Sequence, residues 1–303
     1  MIGFRNSSYF VQNPVQLHAS LLPATAANAD AFVDFCCAAE EAGFASVHVP
    51  VSDRLCEALS LAMVAGEKAR RIDFRIGWDF NGILNSLGGN AMRETWSALD
   101  GRLVLHMRFD GLSSAVRSSQ FAQAAEFLEN CRRLFDDSQR PYFEIEGESA
   151  ASAFLAIKHA DRLWRRPDRP NQVYADSLPI LHFGKQVGLL APAIVRQDRQ
   201  EALEVLFKML SPGAADRVHD PAWWLTPWLW RAQGNAAFES AGGKPALVGS
   251  TDEVARALHG LKTSGVSQFL IREWPGLPNG AQEVLHFAAI VLPSIRKIES
   301  AEN

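Results

Sequence analysis

Cysteine is scarce in this sequence: four residues in 303, two of them the adjacent Cys36 and Cys37, with Cys56 and Cys131 apart. That is too few for a disulfide scaffold, and no CxxC or Cys/His cluster has zinc-site spacing. Positive charge is not in excess. Thirty basic against thirty-four acidic residues give a net charge of −4, which argues against a dedicated nucleic-acid binder. No run of 18 apolar residues is present, so no segment is expected to cross a membrane. The first ten residues lack a charged head followed by an apolar run, so no signal peptide is expected. Familiar chemical motifs are missing too: there is no P-loop, no HExxH, no GxSxG and no GxGxxG. The eight histidines are scattered, and no two lie at helical i, i+4 spacing. What remains is a chain with 48% hydrophobic and 21% charged residues, the balance of a globular protein with a sizeable core. Reduced thiols and a cytoplasmic location are the default expectation.

Apolar runs of strand length alternate with helix-length amphipathic stretches. Strands are expected at Gln16–Leu22, Ser46–Val51, Ile72–Phe80, Leu103–Phe109, Pro141–Glu146, Arg162–Arg166, Val187–Arg196 and Gln268–Arg272. Helices are expected at Ala29–Ala42, Cys56–Ala69, Asn90–Leu99, Ser118–Phe135, Glu148–His159, Arg199–Met209, Thr251–Thr263 and Gly280–Lys297. Asn28 or Asp30 caps the first helix and Gly43 ends it. Eight strands alternating with helices predict a (β/α)8 TIM barrel, with an open doubly wound sheet as the rival. Ser211–Ala246 breaks the rhythm with four prolines and with Trp223, Trp224, Trp228 and Trp230. It reads as an insertion within a single 1–303 domain, serving either as packing or as a lid.

Several residues are candidates for chemistry. At Glu144–Ser149 a strand ends, Gly147 turns the chain and a helix begins. A helix start suits phosphate, although an ordinary capped turn has the same pattern and the charges of Glu146 and Glu148 would repel an anion. Cys56 follows the second strand near a helix start, a position that lowers a thiol pKa; a small buried residue fits there as well. His106 and Arg108 share one strand face, as do Arg75, Gly77 and Asp79. In a barrel such polar faces point inward, either to serve a site or to form an internal ion-pair network. Arg165 and Arg166 end the sixth strand, where either can pair a phosphate or sit in a solvated turn.

The segment ALVGSTDEVARALHGLKTSGVSQFLIREWPGL (Ala246–Leu277), followed by VLPSIRK (Val291–Lys297), resembles the closing segment of bacterial luciferase-like flavin monooxygenases. The alkanesulfonate monooxygenase branch is nearest. AAEEAGFASVHVP (Ala38–Pro50), Asp53–Phe80 and RPYFEIEGESAASAFLAIKHAD (Arg140–Asp161) are similar to the family's second strand to third strand and to its fifth strand and flavin-phosphate turn. The resemblance implies a barrel enzyme that oxygenates a small organic substrate with O2. It implies reduced FMN from a separate flavin reductase, with F420 as the alternative, and a homo- or heterodimer. It places the flavin phosphate at Gly147, Glu148, Ser149 and Ala150, and Cys56 on the branch's active-site cysteine. His106, Arg108 and Trp274 are further candidates to line the site.

The departures from that pattern are specific. Leu190 and Pro192 stand where the branch has an arginine and a histidine, Trp274 replaces a tyrosine, and an arginine is missing near Ser240. A sulfonate substrate is therefore not expected. The loops at Gly111–Arg117 and Asp136–Arg140 are short for the family. Trp223–Trp230 is expected to compensate as an apolar cover and to favour a more apolar or aromatic substrate. These losses also admit a second expectation, a non-catalytic or weakly flavin-binding subunit that pairs with an active paralogue.

Overall fold

The computed structural model describes residues 14–21, 28–49, 55–79, 88–109, 114–135, 140–166, 170–209, 228–229, 246–274 and 279–302. Strands and helices alternate through the first seven units: β1 (Gln16–Ser20), α1 (Ala29–Ala42), β2 (Ser46–Val49), α2 (Leu55–Lys68), β3 (Asp73–Asp79), α3 (Gly88–Ala98), β4 (Leu103–Arg108), α4 (Ser114–Leu134), β5 (Tyr142–Glu146), α5 (Ala150–His159), β6 (Arg162–Arg165), α6 (Pro170–His182), β7 (Gln186–Arg196) and α7 (Arg199–Met209). The short β8 (Trp228–Leu229) and β9 (Ala246–Ser250) precede α8 (Thr251–Thr263), β10 (Gln268–Arg272) and α9 (Gly280–Glu302).

The strands are hydrogen-bonded in the order β10-β1-β2-β3-β4-β5-β6-β7-β9-β8, and β10 also pairs with β7. That last pairing closes a ring of eight parallel strands with helices between them, a (β/α)8 TIM barrel. All eight expected strands are members of the ring. Pro192 does not break β7. Gly188–Pro192 pair with β10, whereas Ala193–Arg196 pair with β9. The missing proline N–H thus falls where the strand passes from one partner to the next.

Two compact units divide the chain. The first holds residues 1–17, 166–178 and 188–303. Its core is drawn from β7, β9, β10, α8 and α9, with Ile194, Val248, Leu258, Leu270 and Val291 all buried. Ser250 caps α8 in a reciprocal box with Glu253, the arrangement that satisfies two otherwise orphaned N–H groups. Arg196 grips Glu283 with two bonds of 2.7 Å, and Lys262 reaches Glu299 at 2.6 Å. Trp228 and Leu229 pair antiparallel with β9. The rest of the Trp/Pro-rich stretch from Ser211 to Pro245 lies outside the described residues, as do Asp53 and the Gly111–Ser113 part of the short loop.

The second unit holds residues 18–165 and 179–187. Asn28 caps α1 by accepting from the N–H groups of Asp30 and Ala31, and Gly43 ends it at φ 90°, a left-handed conformation that glycine adopts without strain. Arg102 ties α2 and α3 to the strands. Its guanidinium donates to the carbonyls of Ala69 (2.6 Å), Ile72 (3.1 Å), Gly66 (3.1 Å) and Leu99 (2.9 Å). Arg140 holds Asp161 with two bonds of 2.6 and 2.7 Å. On β4 and β5 both faces are covered: Leu105, Met107, Phe143 and Ile145 are buried toward the helices, and His106, Glu144 and Glu146 are buried on the opposite face. Two-sided burial is what a parallel sheet under helices requires. The unusual feature is that one of the two faces is charged.

Candidate functional site

Glu144 is the centre of that charged face. It is fully buried, and its carboxylate collects bonds from three strands. Arg75 on β3 donates to both oxygens, at 2.5 Å (Nε to Oε2) and 3.1 Å (Nη2 to Oε1). Arg162 on β6 donates to Oε1 at 2.6 Å, and Trp164 Nε1–H donates to Oε2 at 2.7 Å. Arg162 is itself held by Gln186 Oε1 at 2.9 and 2.6 Å. The Trp164 ring supports both guanidiniums, with the Arg75 carbon 4.8 Å and the Arg162 carbon 5.4 Å from its centroid, within the range of a cation–π contact. Burial alone would push the Glu144 carboxyl up. The two arginines, together with the bond to His106, outweigh it and hold the group well below the usual carboxylate range.

His106 bridges Glu144 to Glu146. Its Nδ1 lies 3.2 Å from Glu144 Oε2 and its Nε2 3.0 Å from Glu146 Oε2. His48 stacks edge-on against it at 5.5 Å between centroids. His18 Nδ1 lies 2.9 Å from Ser46 Oγ and 3.4 Å from Arg75 Nη2. The His48 ring lies against Gly77, where an added Cβ would overlap its Nε2. Gly77→Ala is therefore expected to displace the ring and destabilise the protein by about 1–3 kcal/mol, the usual range for overpacking. Urea unfolding of this variant beside the parent checks it, and an unchanged midpoint would show that the ring moves aside at no cost.

Beyond the strand end, Gly147 turns the chain into α5. Its N–H donates to the Trp164 carbonyl at 3.1 Å, and a Cβ here would come within 2.7 Å of Ser152 Cβ and Oγ. Only glycine lets the strand end run this close to the helix start. Ser149 is the N-cap. Its Oγ accepts from Ser152 N–H at 3.1 Å, and Ser152 Oγ accepts from Ser149 N–H at 3.1 Å. The N–H groups of Ala150 and Ala151 are the first-turn donors that this box does not use. Glu148 is exposed, and its carbonyl accepts from Arg165 Nη2 at 3.2 Å, with Arg165 Nε 3.7 Å from its carboxylate. Of the two charges expected to repel a phosphate, Glu146 is directed to His106, whereas Glu148 stays at the turn, loosely paired with Arg165.

The remaining candidates lie in different settings. Cys56 is the second residue of α2 and is exposed. Cys36 is buried instead, and burial together with the neighbouring Cys37 pushes its thiol well up. Arg108 ends β4 as the register partner of Glu146. Trp274 is buried two residues after β10, in the other compact unit. The side chain of Asp79 lies outside the described set. Glu144, Arg162, Trp164, His18 and His48 were not singled out as site residues. The signal was available, because period two on β5 and β6 places Glu144 with Glu146 and Arg162 with Trp164 on the face that carries His106. Among the described residues no cluster has the make-up of a metal site.

No family model matches the sequence, and no curated protein does. Solved structures do match. A long-chain alkane monooxygenase aligns over 95% of this chain and 92% of its own, with a TM-score of 0.70 at 12% identity. The oxygenating constituent of 3,6-diketocamphane monooxygenase from Pseudomonas putida, a type II Baeyer–Villiger enzyme in complex with FMN, aligns over 93% and 98%, with a TM-score of 0.60 at 13% identity. A coenzyme F420-dependent tetrahydromethanopterin reductase from Methanopyrus kandleri aligns over 93% and 100%, with a TM-score of 0.61 at 12% identity. At such identities the likeness speaks for architecture alone, and that architecture is the (β/α)8 barrel already given by the strand order.

Proposed function

We propose that the chain is a flavin-dependent oxidoreductase, a monooxygenase of the luciferase-like type, acting on a small organic substrate with reduced FMN from a separate reductase. F420 is the alternative cofactor. One observation carries the reading: the α5 start combines unused first-turn N–H groups, a glycine that admits close approach and the Arg165 side chain. That donor set fits a phosphate. Ser149, Ala150, Ala151 and Arg165 would hold it, with Gly147 and Glu148 shaping the turn. A bound reduced flavin supplies the electrons with which oxygen is activated. The protein's part is to orient the substrate and exclude water, for which the stretch 211–246 is the proposed lid. Cys56, Arg108 and Trp274 remain proposed lining residues.

The test is a titration of oxidised and reduced FMN and of F420, followed by flavin fluorescence or, for reduced forms, absorbance under anaerobic conditions. Binding of one cofactor is expected, and binding of none would overturn the reading. Ser149→Asp is the companion variant. Aspartate also caps helices, so the fold is retained while a negative charge is added at the phosphate, and affinity is expected to fall about tenfold, or about 1.4 kcal/mol. Unchanged affinity removes the phosphate assignment. The reciprocal capping box at α5, in which Ser149 and Ser152 satisfy each other, favours one second reading, a non-catalytic or weakly flavin-binding subunit that pairs with an active paralogue. That reading expects weak or no flavin binding by the isolated chain.

A further inference from the structure

The contacts of His106 constrain where a proton resides. A neutral imidazole has one N–H, and an ionised carboxylate only accepts. His106 nevertheless lies 3.2 Å from Glu144 Oε2 and 3.0 Å from Glu146 Oε2. Both contacts are hydrogen bonds only if the three groups hold one proton more than a neutral imidazole between two carboxylates. Glu144 does not hold it. Its two oxygens already face donors from Arg75, Arg162 and Trp164, and a carboxyl hydrogen would point at one of them. Glu144 therefore accepts from Nδ1–H, and the additional proton lies between Nε2 and Glu146 Oε2.

We propose that His106 and Glu146 share this proton and form a buried acid–base pair at the C-terminal end of β5, with Glu144 as the residue that positions it. In the transfer, the Nε2–H bond breaks as the Oε2–H bond forms, so an imidazolium–carboxylate pair becomes an imidazole–carboxylic acid pair. No net charge is created in the buried interior, which is what makes the transfer inexpensive there. Among the described residues the pair is surrounded by Glu144 with its arginines Arg75 on β3 and Arg162 on β6, by Trp164 on β6 with its ring 6.4 Å from His106, by Arg108 on β4 as the register partner of Glu146, and by His48 on β2 with its ring 5.5 Å from His106.

The use of the pair rests on the flavin reading, because Glu146 directly precedes the Gly147 turn. Glu146 is the member that would exchange a proton with a bound molecule, while His106 and Glu144 act through it. The substrate class this implies carries a polar atom that gains or loses a proton, such as a carbonyl or hydroxyl, rather than a bare hydrocarbon.

The experiment reads protons on cofactor-free protein. With histidine labelled in 15N, the His106 signals of the parent are expected to show either two protonated nitrogens or one, the latter with a carboxylic-acid C=O band in the infrared spectrum. Glu146→Gln retains the shape and donates an amide N–H to Nε2. It is expected to give a neutral imidazole and to lose any such band. A neutral His106 with no acid band in the parent overturns the proposal, and because that reading needs no variant, it stands even if Glu146→Gln folds poorly. The flavin titration on the same samples keeps the two ideas apart. Absence of flavin binding defeats the cofactor reading and the use of the pair, whereas a neutral imidazole defeats the pair whatever the flavin does.

Discussion

Glu144→Ala is expected to destabilise the protein by about 3–5 kcal/mol, the cost of leaving buried charge uncompensated. Two guanidiniums, Arg75 and Arg162, direct their hydrogen bonds at this one carboxylate, and both are nine-tenths or more buried. Without it, two buried guanidiniums lose their shared counter-charge. Denaturant unfolding measures the loss, and a change below 1 kcal/mol would mean that water enters and solvates the arginines. A triple replacement, Glu144→Leu with Arg75→Met and Arg162→Met, is expected to cost less than Glu144→Ala alone, because charge and counter-charge leave together.

The same residue fixes the acid limb of stability. Its folded carboxyl is held well below the usual value, so its contribution is fully present at pH above the unfolded carboxylate value. The contribution is lost as pH falls through the lower folded value. Glu144→Gln is expected to flatten the stability curve in that acid range and to leave the slope at neutral pH unchanged.

Trp164→Ala is the second large effect, expected at about 3–5 kcal/mol. The side chain is fully buried, and it donates to Glu144, underlies both arginines and meets His18 edge-on at 5.4 Å. Trp164→Phe separates the ring from the donor. It retains most of the packing and removes the 2.7 Å bond to an ionised carboxylate, for an expected loss of about 2 kcal/mol. Equal losses for the two variants would place the whole effect in the hydrogen bond.

The ring of strands was legible because each strand is a short apolar or alternating run between turn signals. That holds even for Gln16–Ser20 and Arg162–Arg165, whose buried polar residues weaken the pattern. Helix α6 had no counterpart among the expectations. It opens on Pro170 and contains Pro179, and both read as breakers, although a proline suits the first helical turn. The site was legible in part. His106, Arg108 and Arg75 were identified by strand period, and the Gly147 turn by its glycine and serines. Glu144 was not identified, because its role depends on partners 69 and 18 residues away in sequence, Arg75 and Arg162. Such non-local pairs leave no local spacing to detect.

The change of partner along β7 has a consequence for how this chain can vary. The ring is closed by β10 on Gly188–Pro192, while β9 joins the sheet through Ala193–Arg196 and β8. The ladder that closes the ring therefore does not pass through β9. A change of length ahead of β9 is therefore expected to act first on the ladder of Ala193–Arg196, and the five register pairs between Gly188–Pro192 and β10 form a separate seam that the chain can keep while the neighbouring one varies.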